Sequence, residues 1–338
     1  MEHKLRKTII AILIIFDSLI LSNFIGGIIV YNAIFYRQDN VLNLTQKYDE
    51  KKYDFKQEII NIPTKNYGLQ GYFYEIDKSR PLIVFVHGMK DDSNTLFNQQ
   101  LYFINHNYNV FSFDMSGTMK SGGKINGFSQ SLIDLEYVLK YLNTEVRFKN
   151  YKLLLYGFSS GGYAASSIFS LGDFNVYGSV CVSSFYSAKN IIKSKGYDYV
   201  GIISNLGEFV IDFMQNINFS SYLNYDSITA INNTNIPIFI AHSKKDPIIS
   251  FSKDSIISKR DDIINPNVKY YIDENKGHLS IQYSNEAISY QENIKFELDK
   301  IKDEDEKKDY LNNISNNLFN ELNLDLFNQI LEFYESVI

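Results

Sequence analysis

The sequence predicts an α/β fold, a mostly parallel sheet flanked by helices with a helical cap insertion, carried on an N-terminal transmembrane helix. Three observations predict it. Short β-branched runs alternate with helical-period stretches from about residue 80 onward. One of those runs, Leu153 to Tyr156, passes directly into Gly157-Phe-Ser159-Ser160-Gly161 and then into small residues with helical promise. Ahead of all this, Thr8 to Phe35 is apolar with Asp17 as its only charge.

About 20 apolar residues cross the hydrocarbon core at 1.5 Å per residue, so Thr8 to Phe35 is long enough even when tilted. Asp17 costs roughly 2.5 to 3.5 kcal/mol near a helix centre, whereas each of the fifteen Ile, Leu, Phe and Val residues between Ile9 and Val30 contributes roughly 0.3 to 0.6 kcal/mol in favour of insertion. The sum favours insertion. An uncleaved anchor is preferred to a cleaved signal peptide because the apolar region is long and no A-x-A-like site follows it. Lys4, Arg6 and Lys7 precede the segment and Arg37 alone follows closely. That bias puts the N-terminus inside, giving a single-pass protein of the cell membrane with the bulk of the chain extracellular.

The chain then divides into four regions: residues 1–36 as the anchor, 37–55 as a polar linker, 56–300 as the main domain, and 301–338 as a helical extension. Lys56 to Pro63 and Gly68 to Ile76, separated by a Thr-Lys-Asn-Tyr-Gly turn signal, predict an antiparallel pair. Pro81 opens a continuous apolar run ending at Val86, the pattern of a strand buried on both faces. Asn109 to Phe113 is a second such strand, and Leu132, Leu135, Val138, Leu139 and Leu142 have helical spacing. Val176 to Val182, Ile236 to Ala241 and Val268 to Ile272 continue the strands. An insertion of about 186–233 is far longer than a crossover helix needs. Its Tyr197, Tyr199, Ile202, Ile203, Leu206, Phe209, Val210, Phe213 and Met214 suggest a helical cap. In the extension, Leu311, Ile314, Leu318, Leu322, Ile330, Leu331 and Val337 predict amphipathic helices packed on the domain.

Composition excludes several classes. With 338 residues, 45% of them hydrophobic, the chain can bury a large core, and a net charge of −6 without a basic face argues against nucleic acid as a partner. Cys181 is the only cysteine, so no disulfide forms within the chain. No metal-ligand spacing, P-loop or dinucleotide fingerprint occurs, and serine chemistry of the kind the Ser159 turn suggests needs no cofactor.

A serine hydroxyl is a poor nucleophile unless it is held exposed beside a base. Strand, sharp turn and helix around Ser159 supply that setting, with Gly157 and Gly161 allowing the chain to pass close to itself. Reacting groups in parallel sheets gather beyond the carboxyl ends of the strands. The strand ending at Ala241 leads to Asp246, and the strand ending at Ile272 leads to His278. The order Ser159, Asp246, His278 is one of the known serine-triad orders. Of the other histidines, His3 precedes the anchor, His87 and His242 end strands, and His106 sits in a polar link. Asp254 and Asp273 are the competing acids; Asp254 falls further along what reads as a helix, and Asp273 is too close to His278. His278 is the general base, Asp246 its orienting carboxylate, and the N–H groups of Ser160 and Met89 the oxyanion donors.

Taken together, His87-Gly88 after a strand, Phe113-Asp-Met-Ser-Gly-Thr-Met-Lys-Ser-Gly-Gly123, the serine turn, the strand leading to Asp246, and Gly277-His278 resemble the α/β-hydrolases of the serine aminopeptidase-like (S33), or monoacylglycerol-lipase-like, branch, over roughly Lys56 to Lys300. Met119 replaces the second glycine of that family's D-x-R/S-G-x-G-x-S segment, and Ser243 replaces a glycine before the acid. The resemblance implies a serine hydrolase acting on a small-molecule acyl substrate. Carboxylic ester cleavage is the leading expectation. Aminopeptidase or amidase activity is the alternative within the fold, and a non-catalytic binding protein the alternative outside enzymes. Fold alone leaves the substrate and oligomeric state open.

Overall fold

The computed structural model describes residues 2–39, 47–200 and 204–338, with side chains described outside 2–3 and 195–208. An N-terminal helix, α1 (Glu2–Ile34), leads to a hairpin of β1 (Gln57–Pro63) and β2 (Gly68–Tyr74). β3 (Leu82–Val86), β4 (Asn109–Phe113), β5 (Leu153–Phe158), β6 (Val176–Val182), β7 (Ile238–Ser243) and β8 (Val268–Asp273) complete one eight-stranded sheet. Its order is β1-β2-β4-β3-β5-β6-β7-β8; β1, β2 and β4 pair antiparallel in turn, and every pairing from β4 to β8 is parallel.

Alternation along the central strands divides the core into two layers. Leu82, Val84 and Val86 face one layer with Leu153 and Leu155, while Ile83, Phe85, Leu154 and Tyr156 face the other. The first layer is closed by α3 (Gln130–Thr144) and α4 (Ser160–Ser167), through Leu132, Leu135, Leu139, Ala164 and Ala165. α2 (Phe97–Asn105) covers the second, together with the last helix of the chain.

Within the insertion, α5 (Ala188–Val200) and α6 (Ser204–Phe219) form the cap. α7 (Ser227–Asn232) returns to the body and buries Ala230 and Ile231 against α4, so the cap closes before residue 233. Among the expected cap residues, the side chains of Tyr197, Tyr199 and Leu206, and the whole of Ile202 and Ile203, lie outside the described residues. Val210 is buried, but Phe209 and Phe213 are exposed.

α8 (Asn285–Lys300), α9 (Glu304–Asn312), α10 (Asn316–Phe319) and α11 (Leu324–Glu335) end the chain. The extension packs chiefly through α11, where Leu326, Phe327, Ile330, Phe333 and Tyr334 are buried and Tyr334 donates to the Leu155 carbonyl at 2.7 Å. The expected packing positions Leu311 and Ile314 are only half-buried, and Leu318 is exposed.

α1 contains the one helix among the described residues that is long and apolar enough to cross a membrane, Lys4–Ile34 at a mean hydropathy of 2.3. Its side chains are exposed to residue 22, after which the helix lies against α6. The Phe24 and Phe213 rings are 5.8 Å apart, and a Cβ on Gly27 would sit 2.7 Å from that of Val210. The polar linker expected over 37–55 contacts the domain at several of its described residues. Arg37 donates to the carbonyls of Ser121 and Met119, Gln38 exchanges backbone hydrogen bonds with Gly117 and Met119, and Tyr48, Tyr53 and Phe55 pack against Tyr74 and Phe97. Tyr48, Tyr53 and Phe55 are half-buried, and burying aromatic surface is the physical reason why this polar stretch does not stay wholly in solvent.

Candidate active site

Ser159 occupies the turn between β5 and α4 with φ 55° and ψ −118°, a region that side chains rarely adopt. The turn is possible because its glycines leave no room for anything larger. A Cβ on Gly161 would sit 2.1 Å from the Val86 carbonyl oxygen, and one on Gly157 would sit 2.3 Å from that of Gly161. The hydroxyl is thereby lifted off the sheet edge and left half-exposed.

Asp246 and His278 arrive from the loops after β7 and β8. His278 Nε2 lies 3.0 Å from Ser159 Oγ, and His278 Nδ1 lies 2.7 Å from Asp246 Oδ2. The other carboxylate oxygen of Asp246 accepts the backbone N–H groups of Ile248 and Ile249 at 2.8 and 2.9 Å. Burial pushes the Asp246 pKa up, but hydrogen bonds from His242, His278 and Ile249 reverse this and hold it below the ordinary carboxylate range. The two competing acids lie elsewhere. Asp254 accepts from Ser194 in a turn ahead of the 3₁₀ helix Ile256–Asp262, not within a helix, and Asp273 accepts the backbone N–H groups of Asn275 and Lys276.

Of the expected oxyanion donors, Ser160 follows the serine directly in the chain and Met89 lines the same cavity as Ser159. Neither the Met89 nor the Ser160 N–H donates to any other described group, and Ser160 begins α4, whose N-terminal amides are unpaired. The loop that carries Met89 is braced by His87, buried at 1% exposure: its Nδ1 is 2.7 Å from the Gly88 carbonyl, and its Nε2 accepts the Met115 N–H at 3.0 Å. Behind it, Asp114 accepts from Ser93 N–H and Tyr72 hydroxyl, while Asp134 accepts the Ser116 N–H and hydroxyl. Met119, standing where the resembling family has glycine, adopts φ 43°, and the backbone pairing with Gln38 holds it there.

Sequence reasoning missed His242. Its Nε2 is 3.2 Å from Asp246 Oδ2 and 3.0 Å from the Ile249 carbonyl, so it braces the acid from behind. The only signal was its i,i+4 spacing from Asp246 on a strand end. Also missed was Asp91, whose carboxyl sits beside Gly88; a Cβ there would be 2.6 Å from Asp91 Oδ2 and 3.5 Å from Ser159 Cβ. Burial pushes Asp91 up to about 6.

Ser159 and His278 open into a cavity of about 600 Å³ whose wall is mainly apolar, including Phe128, Phe158, Phe185, Ile191 and Ile249. Its remaining side is formed by Val30, Tyr31, Ala33, Ile34 and Phe35 of the N-terminal segment.

Residues 77–229, which include Ser159 but neither Asp246 nor His278, match the family model described as serine aminopeptidase, S33. Among solved structures, the chain is similar to the esterase Pf2001 of Pyrococcus furiosus, at 19% identity and a TM-score of 0.55 over 77% of this chain and 97% of that one. It is similar also to Est1E from Butyrivibrio proteoclasticus, at 14% identity and a TM-score of 0.50 over 65% of this chain and 90% of that one. The acylaminoacyl peptidase of Pyrococcus horikoshii gives 14% identity and a TM-score of 0.55, over 86% of this chain and 42% of that one. At these identities the likeness concerns the fold. No curated protein matches the sequence significantly. The strand order and these matches give the chain the α/β-hydrolase fold.

Proposed function

We propose that this protein is a membrane-anchored serine hydrolase that cleaves carboxylic esters through an acyl-enzyme on Ser159. One observation carries the reading: the hydrogen-bonded line from Asp246 through His278 to Ser159 meets a largely apolar cavity. Ser159 Oγ attacks the ester carbonyl carbon as His278 Nε2 takes its proton. The tetrahedral oxyanion accepts from the N–H groups of Met89 and Ser160. Collapse breaks the bond to the alcohol, which leaves with the proton from His278, and water then attacks the acyl-enzyme by the same route. Asp246 keeps the proton of neutral His278 on Nδ1, so that Nε2 is free to accept. An apolar wall suits an acyl chain. α1 crosses the cell membrane once, with the hydrolase domain extracellular, as the basic residues before it favour.

Labelling with a fluorophosphonate tests the reading. The full chain in detergent labels, Ser159→Ala does not, and His278→Ala labels far more slowly. Equal labelling of the wild type and the Ser159→Ala protein refutes it. Asp91 favours a second reading, an aminopeptidase, because its carboxyl lines the same cavity as Ser159 and could pair with a substrate ammonium. Faster hydrolysis of aminoacyl amides than of short esters, lost in Asp91→Asn, selects that alternative.

A further inference from the structure

The cavity wall contributed by the N-terminal helix is unexpected for an anchor. A tether needs only to hold its cargo near the membrane, yet the last turns of α1 are built into the site. The Tyr31 hydroxyl meets the Asn126 carbonyl and accepts from Gln215 Nε2 at 2.6 Å and Asn218 Nδ2 at 3.0 Å. The Phe35 ring stands edge-on to Phe128 at 5.8 Å, and Lys90, next to Met89, lies 4.3 Å over the Tyr36 ring. These contacts fix the helix against the cap on one side and the oxyanion loop on the other.

The length of the helix sets the depth of the cavity. Counting about 20 residues from Thr8 brings the edge of the hydrocarbon to about residue 28. Residues 30–35 then rise about 9 Å further, within and just beyond the headgroup layer. Val30, Ile248 and Leu279 line the cavity and are also 43%, 52% and 41% exposed, so its mouth is rimmed by apolar side chains. Phe209, Phe213 and Ile217, on one face of α6 beside α1, are exposed as well. An apolar mouth and an apolar cap face, both continuous with a membrane-crossing helix, lie where lipid covers them.

We propose that the last turns of the anchor helix form the bilayer-side wall of the acyl pocket, and that the substrate is an acyl ester lipid taken directly from the outer leaflet. The proposal rests on the esterase reading above. Ala33 and Ile34 then help to set which acyl chains fit.

The full chain, reconstituted in phosphatidylcholine nanodiscs, is tested with a disc-borne palmitoyl ester and a water-soluble butyrate ester, with Ser159 labelling measured in parallel. The wild type prefers the palmitoyl ester, and Ala33→Trp, which fills the cavity from the anchor side, lowers the palmitoyl-to-butyrate ratio by roughly tenfold. Ile34→Ala, a smaller change that is safe for folding, shifts the ratio toward bulkier chains and decides the matter if Ala33→Trp unfolds. Intact Ser159 labelling and butyrate turnover with an unchanged ratio in the folded variants overturn this inference alone. Absence of Ser159 labelling in the wild type overturns the esterase reading, and this inference with it.

Discussion

Replacing Asp246 by asparagine removes one charge and almost no volume, so the hydrogen bonds around the side chain decide the outcome. Oδ1 accepts two backbone N–H groups, from Ile248 and Ile249, so an asparagine must keep its carbonyl oxygen there. Its NH₂ group then takes the position of Oδ2, facing the nitrogens of His278 at 2.7 Å and His242 at 3.2 Å. His242 Nε2 keeps its proton for the Ile249 carbonyl at 3.0 Å. His278 is the group that can yield, by moving its proton from Nδ1 to Nε2. In that tautomer it donates toward Ser159 and can no longer accept the hydroxyl proton. We expect kcat/KM to fall by about 10⁴, the effect of the same tautomer error in other serine triads. That corresponds to about 5.4 kcal/mol of lost transition-state stabilisation. The assay is hydrolysis of a soluble short-chain ester by the full chain in detergent, with thermal unfolding to establish that the variant is folded. A folded Asp246→Asn protein within tenfold of wild-type kcat/KM refutes the argument.

The same geometry yields three further predictions. Gly161→Ala drives a methyl group to 2.1 Å from the Val86 carbonyl oxygen; a shift of about 1 Å at the elbow lowers kcat/KM by roughly 10², and ester turnover within twofold of wild type contradicts this. Tyr31→Phe strips a partner from the buried Gln215 side chain and from Asn218, and destabilises the full chain by about 1 to 3 kcal/mol; an unchanged unfolding temperature in detergent counts against the docking of α1. Asp134 is 1% exposed, and burial, only partly offset by hydrogen bonds from Ser116 and Gln130, pushes its pKa from 3.8 to about 6. The folded pKa is the higher one, so its contribution to stability is fully present below about pH 4 and is lost, by about 3 kcal/mol in all, as the pH rises from about 4 through 6. Asp134→Asn abolishes that slope, and parallel stability profiles between pH 4 and 6 for the two proteins exclude it.

What the sequence made legible divides along a physical line. Strands β3 to β7 were readable because each is a short, mostly apolar stretch with no competing helical period, β8 because Val268, Tyr270, Tyr271 and Ile272 favour strand although Lys269 interrupts them, and the elbow because Gly157 and Gly161 have no replacement where backbones approach so closely. Asp246 and His278 could be placed because each lies a few residues past such a strand, in a position that topology alone assigns. His242 could not. Its bond to Asp246 depends on how the turn Lys244 to Pro247 curls back, and a histidine at a buried strand end has the same local pattern whether or not a carboxylate faces it. The same limit explains α1. Hydropathy measures a side chain's avoidance of water and does not distinguish a lipid neighbour from a protein one. Residues 8–22 and 28–35 therefore read as one continuous apolar span, although the first part has exposed side chains while the second buries Tyr31 and Phe35 against the hydrolase domain. The distinguishing marks were polar or conformational. Glycine at position 27 is what allows Val210 to approach so closely, and Tyr31 carries a hydroxyl that finds its partners in the cap and in the loop after β4. A long apolar helix that ends in such residues is better read as part of the domain it precedes than as a leash to it.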